Sequence, residues 1–423
     1  MEELNGKNIL ILGYGQEGKS SEKYLKQKYP EKSIFVKDLL SEKLPIEDLL
    51  KYDTIVRSPG ISPNNPLLIK FAHSGRRITS ATNIFFAEFP GMIIGITGTK
   101  GKSTAASLIK SILSKKFPDV RLVGNIGIPA LSELDTATKR TIFVMELSSY
   151  QLSDLHYSPH IAVILAIYPE HINYHGDFQN YIRAKTNIVR HQKSSDIVIF
   201  NSENQNSSKI ALKSAAIKKI GFKSANNSHL LKNALLQGKG NLQNALAAIT
   251  VGIELRIPLV EAQKVIKTFK PLPHRLAYVD KVKDIKFYND SLATIPEATI
   301  NALDALGNDV ETLIAGGYDR GVDFIKLGNR IKKSQIKNLI LFPETGKKIW
   351  QATENSKIRK YDVRTMKEAV EIALDNTKPG KICLLSPASA SFNLYKDYKE
   401  RGKLFINIVR HEKKIINKES RQE

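Results

Sequence analysis

Apolar residues along the chain come in short continuous runs: "NILILG" (8–13), "SIFVKD" (33–38), "DTIVRSPG" (53–60), "MIIGITG" (92–98), "TIFVMEL" (141–147), "HIAVILAI" (160–167), "DIVIFN" (196–201), "IKFYND" (285–290), "ETLIAGG" (311–317), "NLILFPE" (338–344) and "KICLLSP" (381–387). Runs of this length, rich in Ile and Val and ended by Gly, Pro, Asn or Asp, read as strands buried on both faces. Amphipathic stretches separate them. Ala105, Leu108, Ile109 and Ile112 recur at helical spacing, as do Phe178, Tyr181, Ile182, Ile188 and Val189. Strand and helix in alternation predict parallel α/β sheets.

Proline and glycine break the rhythm at "EFPGM" (88–92) and "FKPLPHRL" (269–276), and a new strand series begins after each. Three α/β domains are expected, over residues 1–90, 91–272 and 273–423. In open α/β sheets ligands sit beyond the carboxyl ends of the strands, so the loops after these runs are where chemistry is to be sought.

Composition narrows the class. With 42% hydrophobic and 25% charged residues, the chain reads as a soluble globular protein. The N-terminus has no basic stretch leading into an apolar one, and the longest apolar run, "IAVILAI" (161–167), is too short to span a bilayer. A single cysteine, Cys383, excludes an internal disulfide or a cysteine-built zinc site, and a cytoplasmic location is expected. The net charge of +22 suits an acidic partner, but the lysines are scattered instead of gathered into one arm, so nucleic acid is not the expected ligand.

Two glycine-rich loops follow strands. In "MIIGITGTKGKSTAASLIKSIL" a strand leads through glycines into a helix, the setting of a phosphate loop, although Ile96 stands where the common pattern has glycine. Backbone N–H groups of Gly98, Thr99, Lys100 and Gly101 can wrap an anion, the helix start at Lys102, Ser103 and Thr104 adds its positive end, Lys102 reaches the terminal phosphates and Ser103 can ligate magnesium. The loop "GYGQEG" brings Gly13, Gly15 and Gly18 after the first strand, with Asp38 at the end of the next, which alone would suggest a dinucleotide site. No second half of a dinucleotide fold completes it, and a separate phosphate loop follows.

Metal-bridged phosphates need carboxylate or imidazole ligands. Glu146 ends the run "TIFVMEL", and Glu170 and His171 follow "IAVILAI". Lys185 falls on the apolar stripe of its helix, where it either snorkels to the core edge or, desolvated, loses its charge and becomes open to chemical modification.

Taken in order, "SPGIS", "GITGTKGKST", "GNIGIP", "MELSSYQL", "HINYHGDFQNYIRAK", "PLPHRL", "YNDSLAT", "IAGGYDRGVDF" and "LLSPASASFNLYKDYKERGKLF" resemble the Mur ligases, ATP-dependent amide-bond ligases of peptidoglycan precursor synthesis, over nearly the whole chain. The pattern is nearest to the members that join D-glutamate to UDP-N-acetylmuramoyl-L-alanine. The resemblance implies an N-terminal Rossmann-like UDP-binding domain, a central P-loop-type ATPase domain and a C-terminal Rossmann-like domain. It implies ATP and two magnesium ions as cofactors, with Ser103, Glu146 and His171 as metal ligands, Lys102 on the phosphates, and Lys185 matching the family's carbamylated lysine. Asn125, Asn244, Arg275 and Asp290 match nucleotide contacts. Thr294, Arg320, Ser391, Phe392 and Tyr398 match the amino-acid site, where the guanidinium of Arg320 suits a carboxylate. Gly13, Gly15, Gln16, Glu17, Gly18, Asp38, Ser58, Pro59 and Gly60 are then assigned to the UDP handle of the precursor, and a monomer is expected.

Two positions depart from the family pattern: Leu292 replaces a lysine and Gly240 a histidine. Such a lost charged hydrogen bond costs about 1.5 to 3 kcal/mol. Two other readings stay open at this stage. One is a related ligase, adding L-glutamate or acting like a folylpolyglutamate synthase; the other is a non-catalytic nucleotide- or nucleic-acid-binding protein.

Overall fold

The computed structural model describes residues 3–38, 45–225, 227–232, 234–236, 238–353 and 357–419. Strands β1 (Asn8–Leu12), β2 (Ser33–Lys37), β3 (Thr54–Arg57) and β4 (Arg77–Ser80) form a parallel sheet in the order β2-β1-β3-β4. Ile9, Leu10, Ile11 and Leu12 are fully buried, as a strand covered on both faces must be.

The second sheet holds β5 (Met92–Thr97), β6 (Val120–Gly124), β7 (Ile142–Glu146), β8 (Ile161–Ile164), β9 (Ile197–Asn201) and β10 (Lys218–Phe222), in the order β10-β9-β8-β5-β7-β6, all parallel. Its register matters for function. Ile96 pairs with Glu146 and Thr97 with Ile164, so the carboxyl ends of β5, β7 and β8 lie side by side.

Strands β11 (Ala277–Val282), β12 (Ile285–Asn289), β13 (Val310–Gly317), β14 (Asn338–Glu344), β15 (Arg359–Asp362) and β16 (Ile382–Leu385) form the third sheet, ordered β11-β12-β16-β13-β14-β15. Here the expectation of parallel pairing needs one correction. β11 and β12 run antiparallel, because the turn Lys283–Asp284, both residues at positive φ, folds the chain straight back. Two cores cover the two faces of this sheet, and Cys383 of β16 is fully buried within it.

The chain divides into two compact units, Met1–Ala234 with Asn241–Thr268, and Leu235–Gly240 with Phe269–Glu423. The first unit contains two sheets because they share a core. Phe85 and Phe89, on the helix Ala81–Glu88 and just past it, meet Phe143 of β7 with ring centroids 5.0 and 4.6 Å apart. No helix among the described residues is long and apolar enough to cross a membrane.

Candidate active site

The candidate phosphate loop lies between a strand and a helix, the setting the sequence predicts. β5 ends at Thr97, and the helix Lys102–Leu113 begins after Gly101, with Ala105, Leu108, Ile109 and Ile112 turned into the core. Gly101 has φ +87°, and a Cβ there would lie 2.3 Å from the Asn244 side-chain oxygen, so both backbone and packing require glycine. Thr99 is pinned from two sides, its hydroxyl donating to the Tyr168 carbonyl (3.0 Å) and lying 3.0 Å from the Tyr181 hydroxyl. The Lys102 ammonium folds back over the loop onto the carbonyls of Gly98 and Thr99, both at 3.1 Å.

Glu146, at the end of β7, is buried and takes hydrogen bonds from the Ser103 hydroxyl (2.5 Å) and the Asn125 amide (3.0 Å). Serine, carboxylate and asparagine from three separate chain segments therefore converge at the helix start. On the β8 side, Glu170 pairs with Lys100 at 2.7 Å, and the Lys100 and Lys102 charges with His171 hold its carboxyl below the usual range against the opposing effect of burial. His171 sits in the left-handed region (φ 56°, ψ 34°), with Nε2 3.7 Å from Glu170 and Nδ1 3.0 Å from the Tyr150 hydroxyl. Burial lowers its pKa, Glu170 opposes that, and the lysines around it add to it.

Among the described residues no three His, Cys, Asp or Glu side chains form a ready metal cage. The donors that do converge, a serine hydroxyl on a carboxylate, are hard oxygen ligands of the kind magnesium takes while drawing its other ligands from phosphate and water. The set fits that ion.

Lys185 lies on the helix Phe178–Arg190 and is 1% exposed. Its ammonium donates to the Thr97 hydroxyl (3.1 Å) and the Gly98 carbonyl (3.0 Å), and stands 4.8 Å from the Tyr181 ring centre. No carboxylate reaches it within ion-pair distance among the described residues. Burial and the neighbouring Lys102 together push its pKa well down, so the amine tends to neutral. The reading in which Lys185 merely snorkels to the core edge does not describe this position: the nitrogen itself is inside, at the root of the phosphate loop.

The first-sheet loops come together as well. Gly13 (φ +91°) approaches Ser58, whose hydroxyl donates to the Gly13 carbonyl at 2.7 Å, and a Cβ on Gly18 would lie 2.3 Å from that same carbonyl. Gly15 precedes the helix Gln16–Lys28, Gln16 is exposed, Asp38 directly follows β2, and Pro59 and Gly60 follow Ser58. Glu17 behaves differently. Its side chain turns inward to accept from the Gln151 amide at 2.6 Å, and burial raises its pKa to about 7, so it is a packing link from the side chain's point of view and offers no exposed oxygen to a ligand there.

In the second unit, Asp290 accepts from the Leu276 N–H (3.0 Å) and the Ser386 hydroxyl (2.9 Å), beside Arg275 in the chain segment that enters β11. The Arg320 guanidinium lies 5.3 Å from the ring centre of Phe392, which also meets Tyr318. Ser391 is buried and its carbonyl caps the turn to Leu394 and Tyr395. Tyr398 stands edge-on to His274, and the Tyr398 carbonyl accepts from the Ser291 hydroxyl at 2.8 Å. Thr294 and Leu292 lie in one turn, Thr294 N–H donating to the Leu292 carbonyl at 2.8 Å. At Gly240 a Cβ would meet nothing within 4 Å, so packing does not impose the departure from histidine.

Sequence reasoning missed Arg401 and Arg57. Arg401 is fully buried with no acidic partner among the described residues, and it donates to the carbonyls of Ser291 (2.8 Å), Ser389 (3.0 Å) and Ala390 (3.2 Å) and to the Ser291 hydroxyl (3.0 Å). The signal was present: Arg401, Phe405 and Val409 recur at helical spacing, a cation on an apolar stripe as at Lys185. Arg57, at the end of β3, pairs with Asp154 at 2.7 Å and gathers the carbonyls of Ser58 and Tyr150.

Comparison with known proteins places this geometry. Residues 96–236 match the Mur ligase middle domain, and residues 274–389 the Mur ligase glutamate ligase domain. The chain is 31% identical over 450 residues to a UDP-N-acetylmuramoylalanine--D-glutamate ligase of Caldicellulosiruptor bescii, covering 96% of this chain and 98% of that one. It is 33% identical over 452 residues to the ligase of the same name from Clostridioides difficile, with 96% and 99% covered. The MurF ligase of Thermotoga maritima in complex with ADP shares the fold, with a TM-score of 0.62 at 16% identity over 98% of this chain and 96% of that one. With a phosphate loop, its oxygen donors and a buried lysine assembled on one sheet, and relatives matched from end to end, the chain belongs to the Mur ligase family of ATP-dependent amide ligases.

Proposed function

We propose that the enzyme joins D-glutamate to UDP-N-acetylmuramoyl-L-alanine, forming ADP and phosphate, in the synthesis of peptidoglycan precursor. The observation that carries this reading is the similarity, across 96% of the chain, to ligases named for that reaction. In this reading residues 1–90 hold the UDP handle, 91–272 the ATP and 273–423 the amino acid.

The loop Gly98–Gly101 and the helix start behind it cradle the ATP phosphates, and Lys102 swings from its own loop carbonyls onto them. Magnesium would lie among Ser103, Glu146 and His171, where its charge offsets that of the phosphates. The γ-phosphoryl group passes to the L-alanyl carboxylate, and ADP leaves. The free amine of glutamate attacks the acyl carbon, the nitrogen gives up one proton to the departing phosphate or to solvent as the amide bond forms, and phosphate leaves with the electron pair of the broken C–O bond. Lys185 as a carbamate would place an anion beside Lys102 where a buried amine driven toward neutral now stands; its burial next to that lysine supports the modification. Arg320 suits the side-chain carboxylate of the incoming amino acid, and Leu292 offers that substrate no charge. Gly13, Gly15, Gly18 and Ser58 serve the diphosphate, with Asp38 toward the uridine.

The test supplies Mg-ATP, UDP-N-acetylmuramoyl-L-alanine and a panel of amino acids, and follows ADP and product. D-glutamate should give the fastest ADP release and a new amide. Equal ADP release with and without D-glutamate, and no amide, would overturn the reading; turnover with L-glutamate or a folate acceptor instead would reassign the substrate.

A further inference from the structure

The candidate active site occupies the carboxyl ends of β5, β7 and β8, and the amino ends of the same sheet carry a surface of a different character. The two most exposed large hydrophobic side chains among the described residues, Ile217 at 84% and Leu212 at 73%, belong to one short connection between the helix Gln205–Ala211 and β10. Exposed aliphatics scattered singly are ordinary, but a group of them rimmed by polar residues marks an interaction surface. Three more, Ile253, Leu259 and Val260, flank the turn between the helices Lys239–Glu254 and Leu259–Thr268.

These segments meet. Lys218, the first residue of β10, pairs with Glu254 at 2.5 Å, and Lys116, just past the helix Lys102–Leu113, donates to the Leu255 carbonyl at 3.0 Å. The Ile217 N–H donates at 3.2 Å to the Ser194 carbonyl, in the loop that enters β9. The same segments carry Lys115, Lys193, Lys213, Lys219 and Arg256, all exposed and none in an ion pair among the described residues. The acids there are engaged: Glu254 by Lys218, Asp119 by Arg121, Glu261 by Lys264, and Asp196 by the Lys193 N–H.

Exposed aliphatic tips set among free cations match a surface that is anionic at its face and apolar just beneath it. A second copy would bring like charges together. Single-stranded nucleic acid is held by stacking on aromatic rings, and no exposed Phe, Tyr or Trp lies on these segments. We propose that this end of the first unit docks on a bilayer bearing anionic headgroups, with Leu212 and Ile217 entering the headgroup region and the neighbouring cations held at the lipid phosphates. The protein lies on the bilayer without spanning it, and the carboxyl ends of β5, β7 and β8 face away from the lipid.

The test sediments the full-length protein with vesicles of equal parts phosphatidylglycerol and phosphatidylcholine, and with vesicles of phosphatidylcholine alone, at about 0.15 M salt. Binding is expected to the anionic vesicles only, weakening as salt rises. Leu212→Ser combined with Ile217→Ser should weaken it at least roughly tenfold, with the thermal midpoint and ADP release in solution unchanged. Lys213→Gln with Lys219→Gln should weaken it by roughly tenfold. Lys332→Gln with Lys333→Gln removes the same charge from exposed residues of the second unit and should change binding by less than about twofold. Undiminished binding by the Leu212 and Ile217 double variant, or equal weakening by the two lysine pairs, overturns the proposal, because the protein would then adsorb by net charge. Absence of binding to the anionic vesicles overturns it as well, whether or not RNA is retained in their place or the double variant abolishes a dimer.

Discussion

Lys185 and His175 show how one buried neighbourhood treats two bases. Lys185 is driven toward neutral with only a hydroxyl and a carbonyl to receive its protons, which is the state in which an amine adds carbon dioxide. Lys185→Ala should lose at least a hundredfold in turnover, with partial recovery in bicarbonate or a short-chain carboxylic acid beyond that given by an inert salt at equal ionic strength. Unchanged turnover would remove Lys185 from the site. Lys102→Ala should abolish turnover while leaving the fold intact by circular dichroism. His175 lies 3.0 Å from the Ser149 hydroxyl, and burial lowers its pKa from 6.5 to about 4. Because the unfolded chain takes up the proton first, its contribution to stability is complete above pH 6.5 and is lost as pH falls toward 4. Urea midpoints measured from pH 7 to pH 4 should fall more steeply in the wild type than in His175→Gln, and parallel curves would refute the assignment.

At the scale of elements, all eleven apolar runs picked out along the sequence are strands, while β4, β6, β10, β11 and β15 went unseen. Each of those five lies at the edge of its sheet. An edge strand is covered less fully and tolerates charge, as "RITS", "KKIGF" and "RKYD" illustrate, so the continuous apolar signal of a doubly covered strand is missing. The strand ends that carry the candidate site residues were legible for the same physical reason that the edges were not. Phosphate loop, Glu146 and His171 follow central strands, and the sheet register carries those strand ends to one place. What sequence could not supply was the direction of a side chain: Gln16 faces out and Glu17, its neighbour, faces in. Arg401 ties the helix Tyr398–Glu419 to two strands of the third sheet by bonding the loops after β12 and β16. Arg401→Met should leave several of those carbonyls unsatisfied and cost about 3 kcal/mol, read as an earlier urea transition. A loss below about 1 kcal/mol would mean that water replaces the guanidinium without penalty.

At the scale of the whole molecule, proline and glycine breaks marked where each strand series begins, but not which cores merge. The first two sheets share one because Phe85, Phe89 and Phe143, far apart in sequence, meet in it. The net charge of +22 gave no guidance to the site, where the decisive cations are a few buried or half-buried ones. The lone thiol has a use that nothing in the chemistry of ligation suggests. Cys383 is sealed in the middle of β16, and burial raises its pKa far above that of a free thiol, so in the native state it is inert to alkylating or disulfide reagents. Its labelling rate is therefore a clock that ticks only when the third sheet opens, reporting the second unit's local unfolding without any engineered probe.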